Sequence, residues 1–262
     1  MLNMLFSATL AMYIIAMTLH FTGVGFKSEL MQRFGFIVFI VATVAHTVYF
    51  FWRWQVVGYI PMANQFEFGM SFALGISICY IVMRFKWQWI TSVGMPATVA
   101  LMMYASTRSM EVRELMPVLR SPWFSVHIAT AVVAYAAFAL AACAGLKYLY
   151  LMKKGESEDG SLLVEIDHVS YRLIALGMLF FTIVILSGSL WAVDAWSAFW
   201  SWDPKELWSL ITWIVYAIYL HQRLRRDWRG KRCAILAIFA IGVVLFTYIG
   251  VNTFLPGLHS YA

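Results

Sequence analysis

The sequence contains few charged residues. Only 12% of its 262 residues are charged, whereas 62% are hydrophobic. Soluble domains usually carry about 25% charged residues, so this composition excludes an ordinary soluble globular protein. The hydrophobic residues form continuous runs of about 17 to 25 residues, which as helices can cross roughly 30 Å of hydrocarbon. The alternating pattern of a membrane barrel is missing, so we predict an all-α, polytopic membrane helix bundle.

Cysteine is scarce as well. The three cysteines, Cys79, Cys143 and Cys233, fall inside hydrophobic runs and form no CxxC motif. Such residues are typical small apolar packing residues, which excludes a disulfide framework. We predict no thiol chemistry for this chain.

The hydrophobic runs predict eight transmembrane spans within a single integral membrane domain over residues 1–262. The first run lacks a basic leading region and a small-residue cleavage site, so we expect it to be a retained span. The predicted spans are residues 2–22, 34–54, 66–84, 88–106, 123–151, 172–193, 207–222 and 233–252.

Lysine and arginine in short connectors indicate the orientation, because they favour the cytoplasmic side. The connector "QRLRRDWRGKR", residues 222–232, has six basic residues and only Asp227 as an acid. With this connector inside, both chain ends and residues 191–206 lie outside. The arginines of the outer connector 107–122 oppose this orientation mildly. Topology thus accounts for the net charge of +6, and no nucleic-acid partner is expected. We expect a multi-pass protein in contact with lipid of the bacterial inner membrane or its equivalent.

The inner connector "KKGESEDGSLLVEIDH", residues 153–168, is the chain's Gly/Ser/acid-rich stretch. We predict a mobile loop there, with His168 at its surface.

The outer connector 191–206, "WAVDAWSAFWSWDPKE", has four tryptophans and three acids. Tryptophans at a membrane surface are ordinary interfacial residues, which is one interpretation of this segment. Two histidines are predicted on the same side, His127 in "SPWFSVH" and His259 in "NTFLPGLHSYA". Two imidazoles with flat indole surface between them meet the requirements of a bis-histidine haem site, the second interpretation. Lys205 could then pair with a haem propionate.

His46 and His221 lie within hydrophobic runs. A histidine in hydrocarbon needs a partner, so each is a candidate functional residue. Counted along ideal helices, His46 lies roughly 18 Å above the inner membrane edge and His221 roughly 9 Å above it. Ligation of one iron would require tilt or an earlier start of the seventh span. His20, about 3 Å above the inner edge, is the alternative to His46.

Four segments together resemble one known family, the CcsA/ResC-type haem-handling proteins of cytochrome c maturation. "WSAFWSWDPKELWSLITWIVYAIYLH" is similar to that family's tryptophan-rich motif and the span after it. "SPWFSVH" and "LPGLHSYA" resemble its two outer histidine motifs, and "HTVYFFWRWQVVGYIPMANQFEF" resembles its first membrane histidine segment. Ser197 stands where the family commonly has glycine.

The resemblance implies a set of haem-binding residues. It implies that His127 and His259 are the axial ligands of an external haem b, and that His46 and His221 ligate a haem b within the membrane. The tryptophan platform would comprise Trp191, Trp196, Trp200, Trp202 and Asp203. We assign none of these residues an acid or base role.

The resemblance also implies a function. Haem would cross the membrane and be attached through thioether bonds to the CxxCH thiols of an apocytochrome c, which other proteins keep reduced. The chain would act with a CcsB/ResB-type partner as a subunit of holocytochrome c synthase. The alternatives are a membrane b-type cytochrome in quinol-linked electron transfer and a haem exporter without ligation activity.

Overall fold

The computed structural model of the chain describes residues 2–158, 160–225, 228–255 and 257. All regular structure in these residues is helical, which confirms the predicted all-α class. The long helices of the described residues are α1 Leu2–Gly25, α2 Glu29–Val57, α3 Gln65–Arg84, α4 Thr91–Ser106, α5 Pro122–Lys153, α6 Ser161–Trp196, α7 Pro204–Arg225 and α8 Lys231–Leu245. Shorter pieces are the 3₁₀ helices Gln88–Ile90 and Pro117–Leu119, the π-helix Phe246–Gly250 and α9 Val251–Phe254.

Each predicted span coincides with one long helix. Among the described residues, six helices are long and apolar enough to cross a membrane by length and composition. The two others are α4, which has 16 residues, and α7, which carries charged residues near both ends. The chain is therefore a multi-pass membrane helical protein, and the predicted count of eight spans is approximate.

The predicted loop at residues 153–168 is shorter in the structure, because α6 already begins at Ser161. Leu163 and Ile166 of that stretch are buried, so an apolar helix face rather than a solvated loop forms there. Asp167 pairs with Arg223 of α7 at 2.7 Å, and both side chains are nearly buried. His168 is exposed, as expected, but it lies on α6.

The chain divides into two compact units, Met1–Leu115 and Met116–Ala262. This division does not test the predicted single haem-handling domain over residues 1–262, which stays a prediction. In the first unit, α1 packs along α2, and α3 packs along α4. A fully buried ion pair, Arg53 with Glu67 at 2.8 Å, joins α2 to α3. The Arg53 guanidinium also donates to the carbonyl oxygens of Met110 and Glu111, at 3.0 and 3.3 Å.

The second unit is built around α5. Small alanines cover much of the buried surface of α5, so α6 and α8 pack closely against it. Phe138 of α5 stacks on Tyr216 of α7, with ring centroids 3.6 Å apart and planes 8° apart. The Trp213 indole N–H of α7 donates to the Thr182 hydroxyl of α6 at 3.1 Å. Through α7, these contacts fix the positions of α5 and α6, the two helices that hold His127.

Candidate functional site

His46 lies at the centre of the first unit, on α2, and its side chain is 0% exposed. Its Nδ1 lies 3.2 Å from the Tyr13 hydroxyl oxygen of α1. Its Nε2 has no hydrogen-bond partner among the residues that the structure describes. When Nδ1 carries the ring proton, Nε2 keeps a lone pair that can bind a metal.

His20, the predicted alternative to His46, occupies a different depth in the same unit. Its Nδ1 lies 3.4 Å from the Gln32 carbonyl oxygen, and its backbone packs against Gly35 of α2. Gly35 precedes His46 by 11 positions on α2, which corresponds to about 16 Å along the helix axis. His20 and His46 therefore cannot replace each other at one site without a shift along the helix.

His127 is half-buried at the start of α5 in the second unit. Its Nδ1 lies 2.8 Å from the Val184 carbonyl oxygen of α6. Since a carbonyl only accepts hydrogen bonds, Nδ1 carries the proton and Nε2 keeps its lone pair in the neutral ring. Metal-binding histidines commonly show this arrangement.

Gly188 allows the His127 ring to approach α6 so closely. A Cβ atom at Gly188 would lie 2.8 Å from His127 Nδ1, nearer than such atoms approach in proteins. Only glycine lacks this atom, so the contact between His127 and Val184 depends on Gly188.

Two of the predicted platform tryptophans lie with His127. Trp191 is 2% exposed, and its indole N–H donates to the Val118 carbonyl oxygen at 2.8 Å. The His127 ring is nearly parallel to the Trp191 ring, with centroids 6.2 Å apart and planes at 29°. Trp196 contacts Trp191 edge-on at 4.9 Å. Trp191 thus supports the histidine from within the unit, with little of its own surface available to a ligand.

Trp200 and Trp202 form a second pair, packed edge-on at 5.9 Å. Trp202 is 67% exposed. The connector between α6 and α7 is shorter than the predicted segment 191–206, because α6 extends to Trp196 and α7 begins at Pro204. The exposed aromatic surface therefore comes mainly from residues 197–203.

Ser197 ends α6 in the left-handed backbone region, with φ 56° and ψ 25°, and its N–H donates to the Val193 carbonyl oxygen. Glycine adopts this conformation without a steric penalty and commonly occupies such positions. The serine at this position therefore carries backbone strain that a glycine would relieve. Trp202, with φ 59°, is a second left-handed residue in the same connector.

The acids of the connector have structural roles in the described contacts. The Asp203 carboxylate accepts a hydrogen bond from the Lys205 N–H at 3.0 Å, and Glu206 accepts from the Asp203 N–H at 3.3 Å. With Pro204 as the first helical residue, these contacts form a capping box at the start of α7. Glu206 also accepts from the N–H of Ser201 at 2.8 Å. The sequence "DPKE" is itself a signal for this helix start.

Lys205 is half-buried and lies near enough to His127 for its charge to act on that ring. Burial lowers the pKa of Lys205 from 10.5 to about 8, and the negative charge of Asp203 partly opposes the change. A partly desolvated cation beside a metal-ligand candidate suits an anionic group such as a carboxylate.

The structure describes fewer contacts for the remaining predicted ligands, His221 and His259. His221 is exposed on α7 in the second unit. His259 lies outside the described residues. Gly257 is described, and a Cβ atom there would collide with the Asp203 carboxylate, so the chain at this position lies directly against the start of α7.

The residues that orient the histidines are Tyr13, Thr43, Val184 and Gly188, and none of them was predicted from the sequence. Thr43 precedes His46 by one helical turn, which is a readable signal for a shared helix face. Tyr13 and Val184 lie 33 and 57 positions from their histidines. Only the packing of different helices brings them together.

The fold and these sites define a class of protein. It is a multi-pass helical membrane protein in which single histidines have Nδ1 in contact with a polar group of a neighbouring helix and Nε2 outside that contact. Within the described part of the chain, no group of three or more histidine, cysteine, aspartate or glutamate side chains could hold a metal ion.

Comparison with known proteins places the chain within a family. The family described as "Cytochrome C assembly protein" matches residues 1–259, so the chain belongs to it. The cytochrome c biogenesis protein CcsA of Chlamydomonas reinhardtii is 37% identical over 221 residues, covering 80% of this chain and 63% of the relative. CcsA of Pyropia yezoensis is 30% identical, covering 96% of this chain and 93% of the relative. CcsA of Synechococcus elongatus is 31% identical, with 99% and 97% covered. The predicted resemblance to CcsA-type proteins is confirmed.

A solved structure shares the fold. The cytochrome c haem lyase CcmF superposes with a TM-score of 0.71 at 14% identity, covering 95% of this chain and 46% of that chain. At this identity the similarity establishes the fold alone.

Proposed function

We propose that this protein carries haem across the membrane and presents it for attachment to the CxxCH thiols of an apocytochrome c. The observation that carries this proposal is the placement of His127, whose Nδ1 is bonded to the Val184 carbonyl, whose Nε2 keeps its lone pair and whose ring packs on Trp191. Membership of the cytochrome c assembly family supports a role in cytochrome c biogenesis. A CcsB/ResB-type membrane protein is the proposed partner, and thiol-reducing proteins would keep the apocytochrome reduced.

The residues of the second unit fit an external haem b. His127 would supply one axial nitrogen, held in place by the Val184 carbonyl at 2.8 Å. His259 would supply the other. Gly257, two positions before His259, lies against Asp203, and this contact supports the approach of His259 to this region. Trp196, Trp200 and Trp202 would offer indole surface, and Lys205 would pair with a propionate.

Bound haem supplies the vinyl groups to which the apocytochrome thiols add, each thiol proton passing to the second vinyl carbon. The protein's contribution is positioning, because two thiols and a fixed haem meet at a high effective concentration. No residue of the connector needs to transfer a proton.

Within the membrane, His46 is the proposed ligand of a second haem b, with His221 as its proposed counterpart. The fully buried Nε2 of His46 has no partner among the described residues, which supports the choice of His46 as this ligand. Neutral imidazole nitrogens of this kind are common haem ligands.

The external site can be tested by coexpressing the protein with its CcsB/ResB-type partner and a CxxCH apocytochrome. We expect His127→Ala and His259→Ala each to abolish most covalent haem attachment, measured by haem stain of the cytochrome. His168→Ala, which alters an exposed histidine on α6, is the matched control. Normal attachment in the double variant His127→Ala/His259→Ala would refute the external site.

The proposed orientation can be tested with a single added cysteine. Phe199 is 54% exposed in the connector, whereas the three native cysteines lie in α3, α5 and α8. We expect Phe199→Cys in intact cells to react with a membrane-impermeant maleimide, and Lys153→Cys to react only after lysis. The reverse pattern would place the tryptophan connector inside.

A further inference from the structure

A chain of hydrogen bonds joins α1 and α2 and ends at His46. The Tyr13 hydroxyl donates to the Thr43 hydroxyl oxygen at 3.2 Å, and the Thr43 hydroxyl donates to the Phe39 carbonyl oxygen at 2.9 Å. The Tyr13 oxygen also lies 3.2 Å from His46 Nδ1. Tyr13, Thr43 and His46 are all buried, so these groups depend on one another for hydrogen bonds.

The direction of this chain follows from its last member. The Phe39 carbonyl can only accept, so it takes the Thr43 proton and leaves the Thr43 oxygen as an acceptor. The Tyr13 proton then points to Thr43, which leaves the Tyr13 oxygen as the acceptor for His46. His46 must therefore carry its proton on Nδ1, and its Nε2 is bare.

The opposite direction is unfavourable for two reasons. A proton on His46 Nε2 would be buried without an acceptor among the described residues, which is a costly state for an N–H group. It would also require Tyr13 to donate to His46, and the Tyr13–Thr43 contact would then lack a proton unless Thr43 turned away from the Phe39 carbonyl.

Ser77 of α3 supports the same direction. Its side chain also interacts with the Tyr13 hydroxyl, and its own proton goes to the Leu74 carbonyl oxygen at 2.8 Å. Ser77 can thus accept from Tyr13. Whichever hydroxyl receives the Tyr13 proton, the Tyr13 oxygen faces His46 as an acceptor.

We propose that Tyr13 and Thr43 are positioning residues that hold His46 in the Nδ1–H tautomer and aim its Nε2 at the iron of a haem. This inference rests on the proposed function, in which His46 binds haem. A hydrogen bond to the second ring nitrogen fixes the orientation of a histidine ligand and raises its basicity. Tyr13 and Thr43 lie on α1 and α2, which pack along each other in the first unit.

Tyr13→Phe tests the proposal because it removes the acceptor and keeps the ring that packs on Phe39 at 4.9 Å. We expect a loss of haem affinity of about 10-fold or more, typical of the removal of such a partner. We also expect a higher midpoint potential of the bound haem, since a less basic imidazole stabilises ferric iron less. Tyr80→Phe makes the same chemical change on the other ring that contacts Phe39 and is the matched control.

Thr43 provides a graded second test. Thr43→Val removes the hydroxyl, but Ser77 can still accept the Tyr13 proton, so we expect a smaller rise in potential than in Tyr13→Phe. Thr43→Ser keeps the hydroxyl and should match the wild type. A Thr43→Val effect larger than that of Tyr13→Phe would overturn the assigned direction of the chain.

The tautomer can also be measured without haem. In protein labelled with ¹⁵N-histidine, we expect the His46 signals, identified by their loss in His46→Ala, to show a protonated Nδ1. Tyr13→Phe should remove this preference. A protonated Nε2 in the wild-type protein would refute the proposal whatever the haem measurements show.

The two proposals fail in different ways. If His46→Ala retains the full haem content and spectrum, the inner haem site of the proposed function is wrong. If His46→Ala loses that haem while Tyr13→Phe and Tyr80→Phe have the same affinity, potential and absorption spectrum as wild type, only the positioning role is wrong.

Discussion

His46 in the first unit and His127 in the second unit solve one chemical problem in two ways. Each has an Nδ1 bonded to a group on a neighbouring helix, which leaves Nε2 with its lone pair. For His127 the group is a backbone carbonyl, which can never donate. For His46 it is a hydroxyl, whose direction depends on two further hydrogen bonds. The tautomer of His127 is thus set by one contact, whereas that of His46 is set by a chain.

The two histidines also differ in their surroundings. His46 is fully buried among the helices of its unit, whereas His127 is half-buried at the start of α5 and packs on Trp191 near the end of α6. Under the proposed function, a ligand that must be exchanged for the histidine of an apocytochrome needs such access. A ligand inside the membrane has no such requirement. Variants that change the surroundings of His127 can be compared with the Tyr13 variants, which change the hydrogen bond of His46.

The largest effect is expected from Gly188→Ala. The added Cβ would lie 2.8 Å from His127 Nδ1, so the ring must leave the Val184 carbonyl. We expect covalent haem attachment to fall about 10-fold or more, while protein level stays similar. Gly242→Ala on α8, where a Cβ meets no atom within 4 Å, is the matched control. Equal attachment in the two variants would show that His127 does not need the Val184 contact.

An intermediate effect is expected from Asp203→Ala. Loss of the N-cap contact to the Lys205 N–H should lower the unfolding free energy by about 1 kcal/mol and loosen the start of α7. Thermal unfolding in detergent measures this change. Asp203→Asn keeps a capping oxygen and should be nearly as stable as wild type. If Asp203→Asn is stable but loses haem attachment, the Asp203 charge has a role beyond capping.

An effect of similar size and opposite sign is expected from Ser197→Gly. Relief of the left-handed conformation at the end of α6 should raise the unfolding free energy by about 1 kcal/mol. Ser197→Val should lower it, because a β-branched residue is disfavoured at positive φ. A stability gain with unchanged haem attachment would show that Ser197 only strains the backbone at the end of α6 and has no role in haem handling.

A pH-dependent effect is expected at Lys205. Burial lowers the pKa of Lys205 in the folded protein to about 8, below the 10.5 of an exposed lysine. The folded state therefore binds this proton less tightly than the unfolded state, and stability should rise as pH increases from about 8 to 10.5. Below about pH 8, Lys205 is charged in both states, and the cost of burying its charge destabilises the folded protein in full. In Lys205→Met this part of the pH dependence should vanish, and thermal unfolding at several pH values would show it.

The sequence allowed much of the architecture to be predicted, because a span about 20 residues long has to satisfy its own backbone as a helix. Each of the eight predicted spans coincides with a helix. The boundaries were less accurate. Residues 161–168 look polar enough for a loop, yet successive helical turns bury Leu163 and Ile166. Trp191 and Trp196 look like connector residues, yet they complete α6.

The sequence by itself determined the helical class, the family, and which side chains have the chemistry to ligate haem iron. The tertiary structure decided which nitrogen of each histidine is available. His46 and His127 look alike in the sequence, as single histidines in apolar surroundings. Their partners lie 33 and 57 positions away, and hydrophobic periodicity identifies a buried face without saying what packs against it. Only the packed helices place Tyr13 beside one ring and the Val184 carbonyl beside the other, because a hydrogen bond requires atoms to meet within about 3 Å.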